Sequence, residues 1–272
     1  MNIIERRRRI IDILEKERQV STQRLEEMIP VSGATIRSDL RELEQEGVIE
    51  RFHGGAMLVE QSKPDHSYIS FTRRSLLMGG EKDAIGREAA KLVRQGQSIM
   101  LDASSTALAM VPYLAGIQDL TIITNGIHTA MAVQKQQDMH TIMIGGVLRP
   151  HSGSVEGLLG EDLLSRLGAD TIFLSANGLS FEHGLSGFNI HELALKQRMI
   201  SQAHRLIALV DHSKLGISSS ASYARFEQID TLITDDGADE SFIARARALG
   251  CKVIVARRSP GSSAGAAMNL IE

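Results

Sequence analysis

The sequence predicts an α/β protein in two parts, an N-terminal winged helix-turn-helix followed by a doubly wound, mainly parallel sheet. Three observations carry this. Residues 32–43 form a capped amphipathic helix with an acid-free polar face, just after a shorter helix that ends at Pro30. Two short alternating runs then flank His53-Gly54-Gly55. From Gln97 onward, short apolar runs, small polar loops and amphipathic helices recur in that order. Continuous apolar strands alternating with helices build a parallel sheet covered on both faces.

In the first part, Ile3 to Glu17 reads as a helix with Ile3, Ile10 and Leu14 on one face. Residues 21–29 form the next, capped by Ser21 or Thr22, with Leu25, Met28 and Ile29 apolar. Pro30 ends it, because proline disfavours helical geometry in the residue before it. Ser32 then caps a helix whose Ile36, Leu40 and Leu43 make one apolar stripe. The opposite face shows Ala34, Arg37, Ser38, Arg41 and Gln45, with Asp39, Glu42 and Glu46 toward the sides. Such a face suits a DNA major groove, where Arg reads guanine edges and small polar groups meet phosphates or bases. Residues 48–52 and 56–59 are the strands of a wing, whose glycines let backbone approach a phosphate closely. The candidate DNA-binding residues are Ser32, Ala34, Thr35, Arg37, Ser38, Arg41, Arg51, His53 and Gly54. Residues 1–60 hold more Asp and Glu than Lys and Arg. Affinity for DNA must therefore come from placement of charge, and the Arg6–Arg9 run is a further candidate for phosphate.

Length and composition set the frame. A head of about sixty residues in a chain of 272 leaves about two hundred for a second domain. The expected division is a head at 1–59, a linker at 60–80, a second domain at 81–258 and a flexible tail at 259–272. No run of eighteen apolar residues occurs, and the Arg-rich N-terminus lacks the apolar core of a signal peptide. A single cysteine, Cys251, fits a reducing cytoplasm. The nine histidines are scattered without zinc-ligand spacing, so neither metal nor cofactor is expected.

In the second part the apolar runs are 99–101, 120–123, 141–144, 171–174, 206–210 and 231–233, with a last one at 252–255. In such sheets ligands bind beyond the carboxyl ends of the strands. The loops there carry small hydrogen-bonding side chains almost throughout: Asp102-Ala103-Ser104-Ser105-Thr106, Thr124-Asn125-Gly126, Gly145-Gly146, Ser175-Ala176-Asn177-Gly178, Asp211-His212-Ser213-Lys214 and Thr234-Asp235-Asp236-Gly237. A phosphorylated polyol needs hydroxyls and amides around its oxygens, and a helix N-terminus with a lysine at its phosphate. The candidate effector-binding residues are Asp102, Ser104, Ser105, Thr106, Asn125, Gly146, Asn177, Lys196, Asp211 and Lys214. Ser105 and Thr106 are expected at the phosphate, with Lys214 or Lys196 adding charge. Asp102 and Asn177 are expected at sugar hydroxyls. The alternative role for the lysines is structural pairing with Glu192 and Asp211.

The stretch "VSGATIRSDLRELEQEGVIERFHGGA", with the Arg- and Ile-rich first helix, resembles the DNA-binding domain of the DeoR family of bacterial transcriptional regulators. That family usually shows two adjacent basic residues where this chain has Arg37-Ser38. The motifs Glu81-Lys82, "IMLDASST", "TIITNG", "IGGVLR", "HGLS", the helix of Glu192 and Lys196, "LVDHSK" and "IDTLITD" resemble the same family's effector domain. The resemblance implies a fold related to ribose-5-phosphate isomerase and glucosamine-6-phosphate deaminase. It implies a repressor of a carbohydrate-utilisation operon, controlled by a sugar phosphate, with double-stranded operator DNA as partner. Specific reading of a two-fold site calls for at least two heads, hence a homodimer or homotetramer.

The competing class is a sugar-phosphate isomerase with a DNA-binding head, which needs a carboxylate base near the substrate's C–H. The string Asp236-Gly237-Ala238-Asp239 looks like the isomerases' motif, but it follows the "DHSK" loop instead of preceding it. The loop in the matching order, Ser175-Ala176-Asn177-Gly178, has no carboxylate. The sequence therefore predicts a sensor and not an enzyme, with residues 236–239 as a turn into a helix.

Overall fold

A computed structural model of the chain describes residues 1, 3–59, 70–136 and 138–258. Part of the expected linker, 60–69, and the expected tail, 259–272, lie outside the described residues. The first helix, α1 (Ile3–Glu17), leads through the short strand β1 (Gln19–Ser21) into α2 (Thr22–Met28). The Ser21 side chain caps α2 by accepting from Arg24 N. The polar-faced helix α3 (Gly33–Gln45) starts at Ser32, whose hydroxyl accepts from Thr35 N at 3.2 Å. Strands β2 (Ile49–Phe52) and β3 (Gly55–Leu58) form the wing, and β1 pairs with β3 as a third strand. That third strand is too short to show period-two alternation in sequence. Ile10, Leu14, Leu25, Ile36, Leu40, Leu43 and Ile49 meet in one core, as the stripes require.

The expected linker is helical at its end. Helix α4 (Phe71–Leu76) is capped by Ser70. Its Phe71 is buried in the core of the second domain while its Leu76 is buried in that of the head. One helix is thus anchored in both cores. Helix α5 (Gly79–Ala90) follows. Leu92 and Val93 donate to Ala89 and Ala90 in a tighter turn that closes it.

The remaining elements are β4 (Ser98–Leu101), α6 (Ser105–Leu108), β5 (Leu120–Thr124), α7 (Ile127–Gln134), β6 (Met139–Met143), the hairpin β7 (Val147–Leu148) and β8 (Val155–Glu156), α8 (Glu161–Leu164) and β9 (Thr171–Leu174). They continue with β10 (Gly178–Ser180), β11 (Gly184–Gly187), α9 (Ile190–Ser201), β12 (Leu206–Leu209), β13 (Ala221–Ala224), β14 (Thr231–Asp235), α10 (Glu240–Ala248) and β15 (Lys252–Ala256). Seven strands form one parallel sheet in the order β15-β14-β12-β9-β4-β5-β6. Each expected apolar run is one of them. Alternate residues serve opposite faces: Ile99 and Leu101 enter one core while Met100 enters the other. The chain leaves β4 toward β5 and β6, then returns to lay β9 on the other side of β4. The carboxyl ends of β4 and β9 therefore flank the switch point where such sheets bind ligands. Strands β10, β11 and β13 make a small antiparallel sheet that the sequence reading did not contain.

Candidate functional site

On α3 the apolar stripe is buried, and Ala34, Arg37, Ser38, Arg41 and Gln45 are exposed, as the wheel requires. Ser32 and Thr35 hydroxyls share a 2.8 Å hydrogen bond beside the cap. Arg37 lies 3.5 Å from Glu26 and Arg51 lies 3.5 Å from Glu44, both exposed pairs of the kind worth little in water. Arg41 is exposed with no ion pair among the described residues. His53 and Gly54 form the exposed wing tip, where Gly54 has a φ of 89°.

Two expectations for this part are corrected. Asp39 is not at the side of the reading face but 2% exposed, held by Arg6 and by Arg7 Nε at 3.1 Å. The Arg6–Arg9 run is accordingly not a phosphate-facing patch. Arg6 fastens α1 to α3, Arg8 is buried against α5, and only Arg9 is fully exposed. A helix buried on two sides turns neighbouring arginines to different tasks, which a charge run alone does not reveal.

At the switch point the structure brings together Asp102, Ser104, Thr106, Ser175 and Lys196. Asp102 is fully buried and accepts from Ser104 N at 3.2 Å and from Ser175 N at 3.3 Å. Lys196, from α9, places Nζ 3.2 Å from Asp102 and 3.3 Å from Glu192. It also donates to Ser175 O and lies 4.8 Å from the centre of the Tyr223 ring. Burial alone would push this lysine down, but Glu192, Tyr223 and Asp102 together hold it above its ordinary value. Ser104 caps α6 by accepting from Ala107 N. Helix α6 is a single turn of four residues, so the dipole expected there is small, and what remains is the first-turn amides of Ser105 and Thr106.

One strand further, Asp211 pairs with Lys214 at 3.0 Å and with the Ser213 hydroxyl. Burial opposes ionisation of Asp211, yet Lys214 and Lys82 hold it well below the usual carboxylate range. The structural pairings considered for both lysines thus exist. On the other side, Asn125 is buried, donates to Val155 O at 3.2 Å and has Oδ1 without a partner among the described residues. Gly146 is exposed at a φ of 152°, where a Cβ would meet Glu156 O. Hairpin β7–β8 leans back over β5, and Asn189 donates to Glu156 at 2.6 Å, which closes one wall of the cleft. Asn177 is exposed at the rim. Strands β6 and β12 are four spacings apart, about 19 Å at the usual inter-strand distance, so a small ligand reaches both only through such inward-leaning loops.

Sequence reasoning missed the cations supplied by α4 and α5. Arg74 is half-buried, donates to Ser152 O at 2.8 Å, and leaves Nε without a partner among the described residues. Lys82 is 6% exposed, and its ammonium donates to the carbonyls of Arg74 and Leu77. Burial and the nearby Lys214, Arg74 and Arg8 push it down to about 7 against the pull of Asp211. The Ser105 hydroxyl donates to the same Arg74 carbonyl at 3.2 Å. A charged, nearly apolar-free start to α5 is the one signal that could have pointed here. The string at 236–239 is a turn, with Asp239 capping α10 by accepting from Ser241 N and Phe242 N. Among the described residues no cluster of His, Cys, Asp or Glu could hold a metal, and no helix is long and apolar enough to cross a membrane.

Residues 6–62 match the DeoR-like helix-turn-helix domain, and residues 78–236 match the DeoR C terminal sensor domain. The HTH-type transcriptional regulator GolR of Listeria innocua is 39% identical over 93% of this chain and 98% of its own. The HTH-type transcriptional repressor GlcR of Bacillus subtilis is 33% identical over 93% and 96%. The glycerol-3-phosphate regulon repressor of Escherichia coli is 30% identical over 86% and 92%. Among solved structures, a D-ribose-5-phosphate isomerase in complex with phospho-erythronic acid aligns at a TM-score of 0.38 and 17% identity, covering 49% of this chain and 52% of that one.

Proposed function

The chain belongs to the DeoR family of helix-turn-helix transcriptional regulators, and from that premise we propose a repressor of a carbohydrate-utilisation operon that responds to a phosphorylated sugar. In this reading residues 1–59 bind operator DNA and 81–258 bind the effector and assemble the protein as a dimer or tetramer in the cytoplasm. The observation that carries the effector reading is the switch-point cleft. It gathers the buried carboxylate Asp102, assigned here to polyol hydroxyls, and Lys82, whose ammonium donates to the backbone carbonyls of Arg74 and Leu77 among the described residues and sits beside Ser105. Lys196 lies between two carboxylates, so the phosphate goes to the Ser105 and Thr106 amides with Lys82 and Lys214. Asp102 and Asn177 take sugar hydroxyls. Asn125 and Gly146 line the far wall.

Calorimetry of the full chain against a panel of pentose, hexose and triose phosphates tests this. One member should bind and raise the melting temperature as RT ln(1 + [L]/Kd). Lys214→Ala should still fold and bind operator, at a melting temperature lowered by the loss of Asp211's partner, and lose the response to that compound. Undiminished sugar-phosphate affinity in both Lys214→Ala and Ser105→Ala would remove this site.

A further inference from the structure

Arg8 belongs to the first helix of the head, yet its side chain ends in the sensor domain. It is 6% exposed, makes no hydrogen bond or ion pair among the described residues, and has a buried Nε without a partner. Its guanidinium lies directly on Gly79, where any Cβ would collide with it. Gly79 opens the twelve-residue helix α5, so a buried cation sits at the positive end of a helix dipole. A second buried cation, Lys82, lines the same small cavity, with Ser75 and Ser105 supplying hydroxyls and Asp83 a buried carboxylate. The carboxylates around Arg8 are largely occupied. Asp83 accepts from Tyr113 at 2.8 Å, Glu81 pairs with Arg258 at 3.0 Å, and Glu15 accepts from Met78 N at 3.1 Å. Asp12, on its own helix, acts on it without a hydrogen bond. Burial outweighs the pull of Asp12, Asp83, Glu15 and Glu81 at Arg8, so these carboxylates compensate the buried cation only in part.

We propose that Arg8 of the DNA-binding head completes a phosphate site with Lys82 and Ser105, so that anion binding clamps α1 onto α5. The head then touches the effector's phosphate itself, and coupling between DNA and effector needs no long relay. Helix α4, anchored in both cores, and the Glu15–Met78 hydrogen bond hold the two parts in register around this contact. The inference rests on the sugar-phosphate reading and adds the head to it.

The test uses the full chain and inorganic phosphate, with the sugar-phosphate panel run in parallel. Phosphate should bind the wild type and slow amide exchange both at 78–83 and within α1. Arg8→Met should weaken phosphate binding at least roughly tenfold, while its melting temperature without phosphate stays equal or rises, because an unpaired buried cation is gone. Gly79→Ala, which displaces the guanidinium without altering α1, should give the same loss and guards against a misfolded head variant. Phosphate affinity unchanged in Arg8→Met, or protection confined to the sensor domain, overturns the inference and leaves the effector reading standing. If no phosphate compound binds the wild type, both readings fall together.

Discussion

Asp39 in the head and Asp102 in the sensor domain are both buried carboxylates held by cations from distant parts of the chain. Around Asp39 the surroundings are closed: Arg6 and Arg7 reach it from α1, behind a helix whose other face is exposed for DNA. Asp102 is just as buried but lies at the carboxyl edge of a parallel sheet, with Arg74 acting on it and with Lys82 and Lys214 around Asp211 one strand further. The pairing chemistry is the same. What differs is where the pair lies, between two helices of the head or at the carboxyl edge of the parallel sheet. In the head the proposed DNA-reading residues are exposed, and the ion pair holds the helix that displays them. In the sensor domain the ion pairs lie at the edge where we propose that the effector binds.

The comparison is broken most directly at Asp39. Asp39→Ala leaves Arg6 buried beside no carboxylate, and removing one partner of a buried pair costs about 3–5 kcal/mol. Urea denaturation should show that loss in the head, and no sugar phosphate should restore it. A variant of wild-type stability would mean the pair does not fasten α1 to α3.

A second expected effect, on the order of a few kcal/mol, concerns Lys82 and pH. Its folded value, lowered to about 7 by burial, lies below that of the unfolded chain. Between these values the unfolded state binds more protons, so this group makes stability rise as pH climbs from about 7 toward 9. Lys82→Met should flatten that rise in thermal melts. A slope identical to wild type would show that Lys82 titrates normally.

The smallest effect is at the reading face. Arg37→Ala and Arg41→Ala should each weaken operator binding by about 1–3 kcal/mol without lowering stability. Arg51→Ala should weaken all DNA sequences alike and reduce the salt slope by about one. Gel shifts at several salt concentrations separate the two. Wild-type affinity in both helix variants would remove α3 from the groove.

The legible parts of this sequence were those whose signal is local. Ser32 ahead of Ile36, Leu40 and Leu43 specifies a capped amphipathic helix because one face must be buried, and its polar complement follows from the same period. The seven apolar runs become seven parallel strands because a sheet covered on both faces demands apolar residues throughout. The polar loops after them lie at the carboxyl edge of the sheet, and Asp102, Ser104, Thr106 and Lys196 converge there.

Tertiary structure decided which charges meet. Arg6, Arg7, Arg8 and Arg9 are alike in sequence, yet one helix packed on two sides sends them to Asp39, to Gly79 and to solvent. Lys82 and Arg74 reach the cleft only because α4 and α5 lie across the sheet. Strand order, which places β9 beside β4, is set by crossovers with no local signature. Periodicity reports what a residue does with its own helix or strand. The partner of a charge is fixed by long-range packing, and that is a property of the whole chain.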